Sequence, residues 1–564
     1  MTETAPAYDA IRAGLTAPGA PFELRSIEIE GAPRRVFCNA PQTLADVYRS
    51  VKQYEERVFT VYNGEHMNYS EALRKAAALG QHIEARGGAV RGARIAIAMN
   101  NRPEWMIAFI AVTAIGATAV LINSRGTAPE IKAALDHTDA TLVIADAQRA
   151  QLLADDARDL IVVRDDAAAP ARAVDFNAAV AGWENASLEP AAIDPEDEAV
   201  VMFTSGTTGG AKAALLTHRS VLTGLMNIQF SMAVVGARLT ALYGAEAMAA
   251  AAKRQPSAML CVPLFHSSGC YAIFLSNFIR GGKVVILPKW NAAQAVELIE
   301  REQVAAFSGS PTMLWDLLRT DRSGRDLSTL VSVGIGGQAL QPQLMREIIA
   351  AFPRAILGAG YGMTEVNGSV CMVAGQELMD RPTSSGRIIP SAEVRIVDDN
   401  GADVAPGETG EIWVRGAMTM RGYCKRPEAT AEVLSDGWLR TGDMARIDDE
   451  GYLHVIDRKK DIVISGGENI SFTEVEGAAI EHPAIAETAA FGVDDERLGE
   501  RLILAVVVKD GHQLNEEALK QHVAERLAIY KVPREIYFRG PLQRNALGKV
   551  NRNDLRKEFL AEPR

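Results

Sequence analysis

The chain has 564 residues, 48% of them hydrophobic: too long for one ordinary core, and apolar enough to fill two or more packed units. Its formal net charge of −12 gives a long-range field of the wrong sign for nucleic acid or an anionic membrane, so neither is expected as a partner. Five cysteines (Cys38, Cys261, Cys270, Cys371 and Cys424) form no CxxC pair and no His/Cys metal spacing, which fits free thiols in a reducing compartment. The opening MTETAPAYDA has no basic stretch followed by an apolar run, so a cytoplasmic location is expected.

In chain order, strand-like runs (ARIAIAM, TLVIAD, AVVMFT, KVVILP, VSVGIG) alternate with helical stretches such as AAQAVELIEREQ and PQLMREIIAAF. That alternation predicts parallel sheets with helices on their faces, an α/β fold. The uncharged stretch from Trp105 to Ile122 approaches the length of a membrane span, but Gly116 interrupts it. It reads as a buried helix, a turn and a buried strand, with no transmembrane segment. The Ala-rich segment 235–256 predicts a helical excursion. From about Pro390 the texture changes to short β-like pieces with Gly and Asp turns (AEVRIVDD, GEIWVRG, GYLHVID), and after DRKKD at 457–461 it becomes mixed α+β. A boundary is placed there, giving domains 1–459 and 460–564. No repeat of 20 to 50 residues is visible, which removes solenoids and propellers.

The strongest local signal is Thr204-Ser205-Gly206-Thr207-Thr208-Gly209-Gly210-Ala211-Lys212, directly after the apolar run AVVMF. Glycines let backbone amides close around phosphate oxygens, hydroxyls add donors, and the lysine adds positive charge. It is a phosphate cradle by composition, though not the GxxxxGK[ST] loop, because Ala stands at 211 and no Ser or Thr follows Lys212. Taken alone, a polar surface turn is the competing reading.

At this loop the sequence resembles the adenylate-forming superfamily of acyl-CoA synthetases, firefly luciferases and peptide synthetase adenylation domains. The resemblance recurs in order from about residue 45 to 555. It implies a large N-terminal domain of two stacked α/β sheet subdomains plus a small β-barrel-like subdomain, followed by a small mobile α+β domain. Gly358 to Glu365 (GAGYGMTE) is similar to the family's YGxTE motif, implying that Tyr361 stacks on adenine and that Glu365, with Thr208, helps hold a magnesium ion bridging the ATP phosphates. Gly362, Met363 and Thr364 belong to the same nucleotide site, as do Gly336, Gly337 and Gln338 of a GGAxL-like turn. Trp438 to Asp443 (WLRTGD) implies that Asp443 accepts hydrogen bonds from both ribose hydroxyls. Asp457 to Asp461 (DRKKD) implies that Arg458 contacts ribose and phosphate beside Ile456, with Lys460 as the hinge between domains. Ser465 to Ile470 resembles the GGxNI loop, whose Gly466 and Gly467 would swing in for thioester formation. Asn545 to Arg552 resembles the motif whose lysine, Lys549, engages the carboxylate and the α-phosphate. His266, in a PLFH stretch, Ser310 and Gly362 are implied to line the acyl pocket. Three positions depart from the family pattern: Ala211 and Phe472 stand where proline is usual, and Ala213 where glycine is usual.

The function implied is an AMP-forming acid:CoA ligase that uses ATP, Mg2+ and coenzyme A, with Lys549, Thr208 and Glu365 as catalytic groups. The substrate class expected first is a medium- or long-chain fatty acid, with aryl or arylalkanoic acids as the alternative. The uncharged Phe265-His266-Ser267-Ser268 stretch disfavours an amino acid, whose ammonium would call for an acidic partner. Two further alternatives stand: an acyl-AMP ligase loading a carrier protein, and a non-catalytic nucleotide- or acyl-binding relative. Homodimer and monomer both remain open, two-fold assemblies being the commonest.

Overall fold

The computed structural model describes residues 8–562 apart from 87–89, 164–169, 183–185, 189–191, 205–211, 336–341, 459–460, 466–467, 496–497, 528 and 545–549. Within the described residues the chain gathers into two compact units, one of 8–204, 212–393 and 414–439, the other of 394–413 and 440–562.

The first unit holds two large sheets besides the antiparallel hairpin of Leu24–Ile29 and Ala32–Phe37. In the first, the strands Glu198–Phe203, Thr118–Leu121, Arg94–Ala98, Leu142–Asp146, Asp159–Val163 and Ala173–Asp175 lie side by side and parallel. Ala213–Thr217 and then Gly422–Tyr423 are added antiparallel at one edge. Near-continuous burial along Leu142–Asp146 and Thr118–Leu121 explains their unbroken apolar runs, since helices cover both faces. The uncharged 105–122 stretch is the helix Pro103–Ala114, buried from Trp105 onwards, a turn at Gly116 with φ +77°, and the strand Thr118–Leu121. The structure thus bears out the crossover reading.

In the second sheet, Val58–Tyr62, Lys283–Ile286, Ser257–Leu260, Ala306–Gly309, Ser332–Ile335 and Ile356–Met363 are parallel neighbours. Gly368–Ala374 and Gly386–Ile388 continue it antiparallel. Its core packs Met259, Val285, Phe307, Val333 and Leu357 against Val296, Leu314 and Ile348 of the helices Ala292–Arg301, Pro311–Arg319 and Pro342–Ala351. The helix His218–Tyr243 packs on Glu198–Phe203 of the first sheet and on Gly368–Ala374 of the second, which joins the two layers. It ends at Gly244, where φ is +83°, and a second helix, Ala245–Ala252, follows, so the excursion read over 235–256 is two helices. Among the described residues His218–Tyr243 alone has the length and hydropathy to cross a membrane, and 61% of its apolar window is buried inside the protein.

In the second unit residues 443–447 of the strand Trp438–Ile447 pair antiparallel with Tyr452–Arg458, turned by Asp448, whose carboxylate accepts from the backbone N–H groups of Glu450 and Tyr452. Beyond it Glu468–Ser471, Ile462–Ser465, Gly499–Val508 and Ile485–Asp495 make an antiparallel sheet, with Glu535–Phe538 added parallel to Gly499–Val508. Helices Phe472–Ile480 and Glu516–Ala524 close one core through Val475, Leu519 and Val523, and Arg552–Ala561 closes another through Leu555 and Phe559. The α+β texture expected at the C-terminal end is therefore present. Residues 459–460, where the domain boundary was placed, lie outside the described residues.

Candidate active site

The carboxyl ends of adjacent parallel strands are where open α/β sheets bind ligands. In the second sheet, four such ends bring together residues that are up to 100 positions apart in sequence. Ser257–Leu260 runs on into the Pro263 to Gly269 turn with His266, and Ala306–Gly309 runs into Ser310. Ser332–Ile335 leads to 336–338, and Ile356–Met363 carries Tyr361, Gly362 and Met363. The register fixes this edge: Met259 faces Phe307, Ser308 faces Gly334, and Gly334 faces Gly358.

Each end has a local cause. The His266 turn is closed by Gly269, where a Cβ would lie 2.2 Å from the Pro263 carbonyl oxygen. The His266 ring packs on Phe265 with centroids 4.5 Å apart. Asn101 fastens this turn to the loop after Arg94–Ala98: its Oδ1 accepts from Leu264 N–H at 2.9 Å and its Nδ2 donates to the Val262 carbonyl at 2.8 Å. Ser310 is the N-cap of Pro311–Arg319, its Oγ accepting from Met313 N–H at 3.3 Å. Gly362 is obligatory, because a Cβ there would stand 1.7 Å from the Gly368 carbonyl oxygen across the hairpin. Asn367, left-handed at φ 54°, turns the hairpin and donates from Nδ2 to the Met418 carbonyl at 2.8 Å.

Thr364 to Val366 form one tight helical turn that buries Glu365 to 7% exposure. Its Oε1 accepts from the Tyr423 hydroxyl at 2.8 Å. The Lys212 ammonium lies over the Tyr423 ring, 4.8 Å from the centroid, so Lys212 and Glu365 meet through one side chain. Thr204 and Lys212 meet at the two ends of the 205–211 segment: Thr204 N–H donates to the Lys212 carbonyl at 2.8 Å, and Lys212 N–H to Thr204 Oγ1 at 3.3 Å. Ala213, where glycine is usual, is fully buried in its strand opposite Phe203, and its carbonyl accepts from Cys424 N–H at 2.8 Å. An extended backbone takes alanine without strain.

In the second unit Asp443 and Arg458 face each other across the antiparallel pair, with Arg458 Nε 3.2 Å from Asp443 Oδ1. Asp443 is 5% exposed. It follows Gly442, at φ +71°, whose N–H donates to Glu411 Oε1 at 3.1 Å, while Thr441 Oγ1 donates to the Ile412 carbonyl at 2.7 Å. Ile456 lies two residues before Arg458 on the same strand, where the register shifts between the Met444–Asp457 and Ala445–Val455 pairs and leaves it without a partner in the ladder. Burial pushes the Asp457 carboxyl above the usual range although Ser471 Oγ and Thr473 N–H both donate to it. Phe472, where proline is usual, is the first residue of its helix, a position that suits proline. Here the ring is buried and the Arg552 guanidinium lies 5.6 Å above it, a contact proline could not make.

Ser205, Gly206, Thr207, Thr208, Gly209, Gly336, Gly337, Gln338, Lys460, Gly466, Gly467 and Lys549 lie outside the described residues. Tyr423 and Asn101 were not singled out by the sequence. Tyr423 pairs with Glu365 across 58 residues, and Asn101 reaches the His266 turn across more than 160, distances at which no local pattern signals a contact. Among the described residues no three His, Cys, Asp or Glu side chains gather as a metal cage. A single buried carboxylate suits magnesium, which is commonly held by one or two carboxylates plus substrate phosphates.

Comparison with known proteins places these features in a family. The model of the AMP-binding enzyme family matches residues 47–424, and that of the AMP-binding enzyme C-terminal domain matches 474–549. A feruloyl-CoA synthase of Amycolatopsis sp is 33% identical over 505 residues, covering 88% of this chain and 95% of the relative. A long-chain-fatty-acid–CoA ligase of Mycobacterium tuberculosis is 30% identical over 479 residues, covering 84% and 90%. Among solved structures, o-succinylbenzoate CoA synthetase of Bacillus subtilis bound to its acyl-adenylate is 27% identical, covers 92% of this chain and 98% of its own, and has a TM-score of 0.74. The same enzyme has been solved with ATP and a magnesium ion, with a TM-score of 0.75. The chain therefore belongs to the AMP-binding enzyme family, the adenylate-forming superfamily, as an AMP-forming acid:CoA ligase.

Proposed function

We propose that this enzyme activates a carboxylic acid with an uncharged, apolar tail, first as its adenylate and then as its CoA thioester. One observation carries the reading: Lys212 and Glu365, from segments 150 residues apart, meet at Tyr423, beside a strand that starts at the phosphate loop. In the first half-reaction a carboxylate oxygen attacks the α-phosphorus of ATP, the bond to the β-phosphate oxygen breaks, and pyrophosphate leaves. Lys212 and the 204–212 backbone would offset charge on the phosphates, Asp443 would hold the ribose diol, and Tyr361 would face the adenine. Glu365 and Thr208 would hold a magnesium ion, which would supply charge neutralisation for the departing pyrophosphate. Lys549 would bridge the carboxylate and the α-phosphate. In the second half-reaction the CoA thiolate attacks the acyl carbon and AMP leaves, after the domain from residue 460 turns about Lys460 and brings Gly466 and Gly467 to the adenylate.

The tail is read as uncharged because Phe265 to Ser268 at the strand edge present no carboxylate to pair with a substrate ammonium. Fatty acids of medium or long chain satisfy this, and so do aryl acids. The aryl class gains specific support from the 33% identity to a feruloyl-CoA synthase. A pyrophosphate-release screen of the purified protein against fatty acids of graded length and hydroxycinnamic acids, with and without CoA, decides between them. Lys549→Ala is expected to abolish pyrophosphate release yet retain acyl transfer from supplied acyl-adenylate. Normal adenylation by that variant would refute the role.

A further inference from the structure

Tyr423 is held more firmly than a surface aromatic needs to be. It lies in the two-residue strand Gly422–Tyr423, paired with Ala214, two residues beyond Lys212. Its N–H donates to Thr430 Oγ1 at 2.9 Å, and the residue is 7% exposed. The same segment grips Glu365 a second time, because Met420 N–H donates to the Glu365 carbonyl at 2.7 Å. A carboxylate as buried as Glu365 requires donors, and a phenol supplies one without cancelling the negative charge. A lysine or arginine in that place would neutralise it and oppose a metal ion. The ring face meanwhile offers the Lys212 ammonium an attractive surface that is not an anion.

We propose that Tyr423 is a positioning residue that presets the Glu365 carboxylate for the metal through its hydroxyl and the Lys212 ammonium for the phosphates through its ring. The proposal rests on the assignment of Glu365 and Lys212 to Mg·ATP made above. It separates two functions of one side chain: Tyr423→Phe removes the hydroxyl and keeps the ring, whereas Tyr423→Leu removes both.

The test is calorimetric titration of ATP into the full-length protein, with Mg2+ varied and with EDTA. For Tyr423→Phe the Mg2+ concentration giving half-maximal enhancement of ATP binding should rise roughly tenfold, the size of one hydrogen bond to a charged group, while binding in EDTA is unchanged. For Tyr423→Leu binding in EDTA should weaken as well. Acyl transfer from supplied acyl-adenylate to CoA should persist in both, a readout that general damage to the fold would lower. Superimposable Mg2+ dependence of wild type and Tyr423→Phe would overturn the proposal, as would equal loss of both half-reactions. Wild-type pyrophosphate release by Glu365→Gln and Lys212→Ala would instead withdraw the underlying assignment, and the proposal with it.

Discussion

His218 gives the most quantitative expectation. It opens the helix His218–Tyr243 at the far end of the hairpin strand that begins next to Lys212, and it is fully buried. Its Nδ1 accepts from Leu44 N–H at 3.2 Å, which requires an unprotonated nitrogen there. Burial lowers its pKa to about 4, outweighing the upward pull of Asp197 and Asp46. The folded pKa lies below the unfolded value of 6.5, so the folded state excludes a proton that the unfolded chain binds. The associated stability is whole above pH 6.5, is lost as pH falls towards 4, and changes no further below that. A gap of this size corresponds to about 3 kcal/mol. His218→Gln keeps an acceptor for Leu44 N–H and carries no titrating group. Thermal melts of both proteins between pH 7.5 and pH 3.5 should converge on acidification, and the variant should become the more stable of the two near pH 4. Other titrating groups cancel in the difference. Curves that stay parallel across the range would refute the reasoning.

Two further expectations concern backbone fit and buried charge. Gly362→Ala should lower the melting temperature by the equivalent of about 3 kcal/mol, because a Cβ 1.7 Å from the Gly368 carbonyl must push the hairpin strands apart; an unchanged melting temperature measured by differential scanning calorimetry would count against the packing described. Arg552 pairs with Glu476 at 2.8 Å and lies 3.9 Å from Asp461, and burial raises the Glu476 carboxyl above the usual range. Arg552→Gln should therefore cost roughly 2 kcal/mol at neutral pH, less than for a fully buried pair because both side chains are partly exposed. The deficit should shrink as pH falls and Glu476 takes a proton. A deficit that does not vary with pH, in melts of Arg552→Gln against wild type, would show that charge is not its source.

How much of this was legible in advance depended on whether the signal was local. The runs ARIAIAM, TLVIAD and KVVILP became the parallel strands Arg94–Ala98, Leu142–Asp146 and Lys283–Ile286, because a strand buried on both faces must be apolar along its whole length. Gly116 marked the turn inside the 105–122 stretch because only a residue tolerating φ of +77° lets a helix pass directly into a strand there. The division between Tyr243 and Ala245 was less legible: alanine favours helix on both sides, and only Gly244 breaks the run. Asp443 and Arg458 were each marked by resemblance, yet their ion pair follows from a hairpin register that sequence spacing alone does not fix.

The departures from the family pattern argue the same point from the other side. Proline at the start of a helix supplies a fixed φ and gives up an N–H that has no intrahelical partner, so its usual place at 472 needs no tertiary reason. Phenylalanine there forfeits the preset backbone but gains a buried ring under Arg552, the guanidinium that also holds Glu476 and approaches Asp461. The substitution therefore exchanges a local preference for a tertiary contact, and it ties the helix start to the segment that follows Lys549 by three residues. Glu476 of the same helix also pairs with Arg552 at 2.8 Å, so the ring adds a second contact to an anchor that the ion pair already makes.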